Sequence, residues 1–271
     1  MTHVRHQPVA PTRMRCLAPG AGIDAHRHDD HQIAYASRGV LAVTTDAGSW
    51  VAPANRAVWI PAGAPHAHRA HGKLALHLVG LPAADNPLAL EYPTVLKVGP
   101  LLRELILAYT RDTEAGDSPQ RARLRAVLLD QLRISPQQPL HLPAPNAPRL
   151  RALCDILHAD PADNRTLAAL GRQIGASDRT LSRLFQAELG MTFSQWRTQL
   201  RLYHALVLLA EDMPVTTVAH LCGWASASAF IDVFRRAFGH TPGSFRQRAP
   251  STQRRNGEAP SDGGGMRTGS G

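Results

Sequence analysis

An internal repeat in the C-terminal part of the sequence limits the possible folds more than any other feature. Residues 167–175 align with residues 215–223, and after one extra residue in the turn, residues 177–197 align with residues 226–246. Two copies of one supersecondary unit explain such self-similarity better than chance does. Each copy has the pattern of a short helix, a tight turn and a second helix, so the sequence predicts two helix-turn-helix units.

Local signals mark the ends of the predicted helices. In the first unit Thr166 and Ser177 precede periodic apolar segments, and Ser or Thr at such a position caps a helix through its hydroxyl. Gly175 and Gly190 follow those segments and can adopt the left-handed conformation that ends a helix. Between the units, apolar residues keep helical spacing over 193–211, which predicts one long helix. A rigid spacer of this kind suits a chain that reads two successive major grooves, about 34 Å apart on one face of DNA.

The charge of the chain favours a polyanionic partner. Its 271 residues carry a formal net charge of +9, which suits nucleic acid or an anionic membrane surface and does not choose between them. No apolar run approaches the roughly 18 residues of a membrane span, and the N-terminus lacks the apolar stretch of a signal peptide. The three cysteines are scattered and odd in number, which argues against a disulfide framework. These features predict a cytoplasmic protein without a membrane partner, associated with the nucleoid if DNA is its ligand.

The N-terminal part of the sequence has a different pattern. Short apolar runs alternate with turn signals across residues 32–79, and strands of about five residues at such intervals suggest an antiparallel barrel or sandwich. The predicted strands are 32–36, 40–45, 49–52, 57–60 and 74–79. Two amphipathic helices follow over 101–109 and 124–132, with a break near 116–119. These helices either pack on their own barrel or pair in a dimer interface.

These patterns divide the chain into four parts. Residues 1–134 form the strand-rich domain with its two helices, and residues 135–148, which include five prolines, form an extended linker. Residues 149–248 form the helical domain, and residues 249–271, almost without apolar side chains, are expected to be disordered. The predicted fold class is α+β: an antiparallel β-barrel with two helices, then an all-α domain of two helix-turn-helix units joined by a long helix.

Three segments of the helical domain resemble the signature of the AraC family of bacterial regulators. They are LSRLFQAELG at 181–190, VTTVAHLCGW at 215–224 and FRRAFGHTPGSFR at 234–246. The resemblance covers about residues 149–248. It implies sequence-specific binding to double-stranded promoter DNA as an activator or repressor, with contact to RNA polymerase. It also implies an N-terminal domain that binds a small-molecule effector and forms a homodimer.

The resemblance places candidate DNA contacts on the second helix of each unit. In the first unit the base-facing positions are Arg179, Thr180, Ser182 and Arg183. The fork of an Arg suits the N7 and O6 atoms of guanine. In the second unit the matching positions are Ala227, Ser228, Ile231 and Asp232. None of these is an Arg, Gln or Asn, so we expect the first unit to carry more of the base readout. Five other arginines are interpreted as phosphate contacts or solvated faces: Arg197, Arg201, Arg235, Arg236 and Arg246.

Histidines of the N-terminal domain resemble the two cupin motifs. Residues 20–39 match the first motif and residues 61–66 match the second. In cupins the four matching side chains point into the barrel and hold a divalent metal: His26, His28, Gln32 and His66. Gln32 stands where the family usually has Glu, and a neutral amide oxygen is a weaker ligand than a carboxylate. The other histidines of this domain are expected at simple polar strand and loop positions: His31, His68, His71 and His77.

Three functions are open for this pocket. A cupin enzyme fused to a DNA-binding domain needs the ligands and an open coordination position. A metal-dependent sensor needs the ligands alone. We favour the third, a metal-free polar pocket for a small molecule and no enzyme activity, because a fold does not imply the chemistry of its relatives. The sequence of residues 31–63 is similar to that of a subgroup of AraC-type regulators, which includes regulators of neighbouring drug-efflux genes. This resemblance predicts a small-molecule inducer and an exporter as the target.

Overall fold

The computed structural model describes residues 4–111, 118–138 and 141–247. Strands make up most of the regular structure up to residue 143, and from residue 148 onwards every regular element is a helix. The tail predicted to be disordered, 249–271, and the first part of the predicted break at 116–119 lie outside the described residues. Within the described ranges, no helix is long and apolar enough to cross a membrane.

Ten strands are seen in the described part of the chain. They are β1 (Arg5–Gln7), β2 (Arg13–Leu17), β3 (Gly22–His28), β4 (His31–Thr45), β5 (Gly48–Ala52), β6 (Arg56–Ile60), β7 (His66–Leu81), β8 (Thr94–Lys97), β9 (Gln137–Gln138) and β10 (His141–Pro143). The prediction of separate strands at 32–36 and 40–45 is wrong, because both belong to β4. The irregularity predicted as a turn is a local distortion within this strand. It consists of Gly39 at φ +79° and two register shifts around Arg38, and the strand stays paired in the sheet on both sides of it.

The strands pair in an open path. The order is β1–β3–β7–β4–β6–β8–β9, with β2 on β7, β5 on β4 and β10 on β5. The β1–β3 pair is parallel, and the other pairs are antiparallel. The hydrogen bonds of the described strands therefore form a sheet-rich domain and do not close into the ring of an antiparallel barrel.

Each face of the sheet carries an apolar core, because successive residues of a strand point to opposite faces. Ile33, Tyr35 and Trp59 lie on one face and pack against α1 (Pro100–Arg111) and α2 (Pro119–Arg133). These two helices therefore pack on their own sheet, which is the first of the two predicted alternatives. The opposite face buries a second cluster: Ala34, Val43, Val58, Ile60, Ala70 and Leu76.

Seven helices form the rest of the described chain, with the predicted caps in place. They are α3 (Pro148–Ala159), α4 (Leu167–Gln173), α5 (Asp178–Leu189), α6 (Phe193–Ala210), α7 (Val215–Leu221), α8 (Ala227–Phe238) and α9 (Pro242–Gln247). The Ser177 hydroxyl accepts a hydrogen bond from the Thr180 backbone N–H, and Thr166 does the same for Ala169, both at 3.2 Å. Gly190, at φ +66°, ends α5 in the left-handed conformation. Local chemistry therefore accounts for the start of α4 and for both ends of α5.

The long helix α6 belongs to two cores. Its first half buries Trp196 and Leu200 with Leu181 and Phe185 of the first unit. Its second half buries Leu206 and its neighbours with the second unit, whose core also includes Val218, Phe230, Phe234 and Phe238. Because one continuous helix takes part in both cores, the spacing between the two units is set by the length of α6.

The predicted linker is extended and is bound to the sheet. Its strand β9 pairs with β8, and its strand β10 pairs with β5. Leu142 of β10 is buried in the core of the first helix-turn-helix unit. The linker therefore contacts both the sheet and the helices, which the spacing of its prolines does not predict.

The sheet also packs directly against the second helix-turn-helix unit. Val40 and Val51 are buried in the same cluster as the phenylalanines of α8. Gly72 lies so close to α6 that an added Cβ would stand 2.4 Å from the Ala210 carbonyl oxygen. Asn55 Nδ2 donates a hydrogen bond of 3.1 Å to the carbonyl of Phe238, the last residue of α8. The C-terminal carbonyls of a helix lack partners within the helix, and here the sheet supplies a donor.

Candidate DNA-binding surface and histidine cluster

The outer face of α5 presents all four predicted base-facing residues to solvent. Arg179, Thr180, Ser182 and Arg183 are exposed, whereas Leu181 between them is buried in the core of the first unit. Within the described part of the chain, no hydrogen bond or ion pair engages the guanidinium of Arg179 or Arg183. Both forks are therefore free to donate to an external acceptor, as contact with a guanine edge requires.

The corresponding face of α8 has a different chemistry. Ser228 and Asp232 are exposed, and Ile231 is half-buried. The Asp232 carboxylate lies 3.4 Å from the Arg235 guanidinium, and the Asp232 backbone carbonyl accepts from Arg236 Nε at 3.3 Å. The acidic side chain at the predicted base-facing position is thus partly neutralised by its own helix. This face offers DNA bases fewer free donors than α5 does.

One predicted phosphate contact is wrong, and that residue is Arg201. Its side chain is only 7% exposed, and it donates to the backbone carbonyls of Pro161 and Asp163 and to the side chain of Asn164 at 2.9–3.1 Å. Burial, with Arg197 nearby, also lowers its pKa below the usual value for Arg. Helical spacing along α6 does not reveal this, because the loop that buries Arg201 is almost forty residues away in the sequence.

Three of the other phosphate candidates remain accessible, and the side chain of Arg246 lies outside the part that the structure describes. Arg235 and Arg236 are exposed on the last turn of α8. Arg197 is half-buried, lies over the Phe193 ring at 4.7 Å and donates to the Arg165 carbonyl at 3.1 Å. Their contact with phosphate stays a prediction.

The sheet brings three of the predicted ligands together and adds one residue that the prediction missed. His26 on β3 pairs in register with His66 on β7, and their ring centroids are 4.3 Å apart. The His28 ring lies 4.9 Å from the His66 ring, and the His68 ring lies 5.0 Å from it. We call these four residues the histidine cluster. The signal for His68 is its spacing from His66, which repeats the His-x-His spacing of His26 and His28 and puts alternate residues on one face.

Backbone carbonyls determine which nitrogen of each ring carries the proton. Nδ1 of His26, His28 and His66 lies 2.7–2.9 Å from the carbonyl oxygen of a residue two positions away in the chain. A carbonyl can only accept, so each Nδ1 carries the hydrogen and each Nε2 keeps a free lone pair. Histidines that ligate a metal usually have this arrangement, in which the ring nitrogen away from the metal donates its hydrogen to a backbone carbonyl or a carboxylate.

Several polar atoms of this pocket are buried without a hydrogen-bond partner among the described residues. They are Nε2 of His28 and of His66, both ring nitrogens of His68, and both amide atoms of Gln32. An unpartnered buried donor or acceptor costs about 1–3 kcal/mol. Gln32 is fully buried, and like Ala34 two residues along β4 it belongs to the face opposite the helices. A polar ligand or a metal ion in the pocket would supply the partners that these atoms lack.

Burial also favours the uncharged form of three rings of the cluster. It lowers the pKa of His66 to about 3, and it lowers the pKa of His26 and of His68 as well, with smaller lowering from the neighbouring histidines. Neutral imidazoles do not repel one another and keep their lone pairs available. Close packing of these rings is therefore consistent with a ligand site at neutral pH.

Two other buried histidines are structural rather than simple polar strand positions. His31 accepts from the Ala62 N–H, lies 3.1 Å from the Ala83 carbonyl and stacks on Trp59. Both nitrogens of His77 lie within 2.9 Å of a hydroxyl, one from α1 and one from β4. All of their polar atoms have partners inside the protein, so they do not belong to the pocket.

A concave region lies where the sheet meets the second helix-turn-helix unit. This cleft has a volume of about 1000 Å³. Among its lining residues are Arg38, Lys73, Lys97, Arg103 and Glu211. The sequence patterns do not predict this cleft, because its walls come from segments more than a hundred residues apart.

Comparison with known proteins agrees with both parts of this description. A helix-turn-helix domain family matches residues 170–248, and a cupin domain family matches residues 13–81. The HTH-type transcriptional regulator NimR of Escherichia coli K12 is 36% identical over 224 residues, which is 81% of each chain. The HTH-type transcriptional regulator RipA of Corynebacterium glutamicum is 40% identical over 104 residues, 38% of this chain and 31% of that protein.

Among solved structures, an AraC-type DNA-binding domain from Chromobacterium violaceum is similar at 29% identity and a TM-score of 0.36, covering 38% of this chain and 95% of that one. The similarity to NimR extends over four fifths of both proteins and therefore includes the N-terminal domain as well as the helices. The chain belongs to the AraC family: it is a DNA-binding transcriptional regulator with an N-terminal cupin domain, and not an enzyme.

Proposed function

We propose that this regulator reads its promoter mainly through α5 and that a small molecule held by the cupin domain controls the binding. The observation that carries the first part is the pair of free guanidiniums on the exposed face of α5, Arg179 and Arg183. Thr180 and Ser182 supply hydroxyls on the same face. The second unit contributes Ser228 and Asp232 as weaker base contacts, and Arg197, Arg235 and Arg236 as contacts to phosphate.

Footprinting of the full-length protein on the region upstream of its own gene tests this proposal. We expect one protected site, bound 10³- to 10⁷-fold more tightly than unrelated duplex, which is the usual range for specific complexes. Uniform binding to any duplex at moderate salt, with no protected site, would contradict it.

The contact between the sheet and α8 offers a route from the effector to DNA. Two neighbouring residues at the start of β6 donate to the Phe238 carbonyl: Asn55 Nδ2, just before the strand, at 3.1 Å, and Arg56 Nη2, its first residue, at 3.4 Å. A cation at the C-terminus of a helix also interacts favourably with the helix dipole. A change in the position of the sheet strands on effector binding would thus move the C-terminal end of α8. By linkage, DNA must then change the affinity for the effector by the same factor.

We expect Asn55→Ala to loosen α8 from the sheet. Loss of one hydrogen bond of this kind costs about 0.5–1.5 kcal/mol, so amide exchange near the C-terminus of α8 should become roughly 2–10 times faster. Hydrogen–deuterium exchange of the full-length protein measures this, with the α5 amides unchanged. Asn86→Ala is the control, because the Asn86 side chain bonds to the backbone of Leu90 within the sheet domain and, among the described residues, not to α8. Unchanged exchange in α8 would show that the contact does not hold the helix.

Dimer formation is the part of the proposal that concerns partners. Three large apolar side chains of the α1–α2 pair are exposed: Leu101 by 54%, Val127 by 43% and Ile134, after α2, by 71%. We propose that they contribute to a homodimer contact, tested by sedimentation of the wild type and of Val127→Glu. Resemblance alone supports RNA polymerase as a further partner, a neighbouring efflux gene as the target, and the nucleoid as the place of action.

A further inference from the structure

We propose that the cupin domain binds a divalent transition-metal ion through His26, His66 and His68. This set differs from the one the cupin motifs imply, because it includes His68 and leaves out His28 and Gln32. The inference depends on the proposed sensor role only for its regulatory consequence, since metal binding is measured without DNA.

The first support is the mutual position of the three side chains. One ring nitrogen from each lies within 4.8 Å of the nitrogens of the other two. Tetrahedral zinc with bonds of 2.0–2.1 Å needs nitrogens about 3.4 Å apart, so small side-chain rotations close the site. His26 and His66 are cross-strand neighbours, and His68 follows on the same face of β7. Two adjacent strands therefore hold the ligands in place.

The second support is the hydrogen bonding of the rings. The Nδ1–H of His26 and of His66 is bound to a carbonyl, which leaves Nε2 of each as the ligand atom. Neither nitrogen of His68 has a partner among the described residues, although the residue is 3% exposed. A core imidazole without any partner has no structural role of the kind that His31 and His77 show. Metal ligation accounts for it.

The donor set also limits the kind of metal. The four residues of the cluster offer imidazole nitrogens and no carboxylate or thiolate, and Gln32 adds only an amide. Imidazole suits Zn²⁺, Cu²⁺, Ni²⁺ and Fe²⁺, whereas Mg²⁺ and Ca²⁺ require oxygen ligands. His28, whose buried Nε2 has no partner in the described structure, lies beside His66 and is the nearest further donor.

The test uses the full-length protein, stripped with a chelator and titrated with ZnCl₂ or CoCl₂. We expect one ion per chain, measured by calorimetry and by the visible absorption of Co²⁺, and a metal-dependent rise in unfolding temperature. His68→Leu should bind at least about 100-fold more weakly, because it removes a ligand. The same variant should unfold at the same or a higher temperature without metal, since an apolar side chain replaces two unpartnered nitrogens. His220→Ala, an exposed residue of α7, is the control.

Two outcomes would overturn the inference. A wild-type protein that binds neither ion shows that the cluster lines a metal-free pocket. A His68→Leu variant with wild-type affinity, alongside a His28→Leu variant that binds no metal, shows that the motif histidines ligate without His68. Promoter footprinting of the same samples tests DNA binding separately from metal binding. A protein that binds no metal but protects its promoter site contradicts only the metal proposal.

Discussion

Arg201→Ala is expected to lower the free energy of unfolding of the helical domain by about 2–4 kcal/mol. The guanidinium of Arg201 makes three hydrogen bonds to the 161–164 loop, and the substitution leaves two backbone carbonyls of that loop without a donor. Gly223 also packs here, since an added Cβ would stand 2.7 Å from the Arg201 side chain. Urea denaturation followed by circular dichroism measures the loss as a shift of the midpoint.

Two further variants make the interpretation specific. Arg201→Lys should recover little of the loss, because a single ammonium cannot span three acceptors as the planar fork does. Arg172→Ala, at an exposed position of α4, should change stability by less than about 0.5 kcal/mol. If Arg201→Ala were as stable as the wild type but bound every DNA sequence more weakly, the structural role would be wrong. The contact between Arg201 and phosphate that the sequence predicts would then be correct.

Arg183→Ala is expected to weaken binding to the protein's own site by about 1–3 kcal/mol and to relax the preference at one base pair. The cause is loss of a bidentate donor to a base edge from an exposed position of α5. Arg235→Ala, on the exposed last turn of α8, should instead weaken all sequences alike. It should also reduce the slope of log K against log salt by about 0.9, because one phosphate contact is lost.

Binding to a library of site variants at two salt concentrations separates the two effects. Arg172→Ala again serves as the control, because it removes the same charge from a different exposed helix. Identical profiles for Arg183→Ala and Arg235→Ala across the library would show that the division into base and phosphate contacts is wrong.

Features that depend on neighbours along the chain were predictable from the sequence. The hydroxyls of Thr166, Ser177 and Ser226 accept from backbone N–H groups three residues further on, and the glycines that end α5 and α8 need only their own positive φ. The apolar spacing of α6 likewise follows from helical geometry. The two helix-turn-helix units and the His-x-His pattern could therefore be predicted from the sequence.

Features that depend on distant segments were decided by the tertiary structure alone. Arg201 is buried by a loop 37–40 residues away in the sequence, and Asn55 meets the end of α8 across 183 residues. His68 becomes part of a cluster only because β7 pairs with β3. Charge and periodicity describe a side chain in water or on an ideal helix, whereas burial and partners depend on which surfaces meet. The sequence by itself therefore determined the class of regulator and its reading helices, and the packing of sheet on helices decided which polar residues remain free to act.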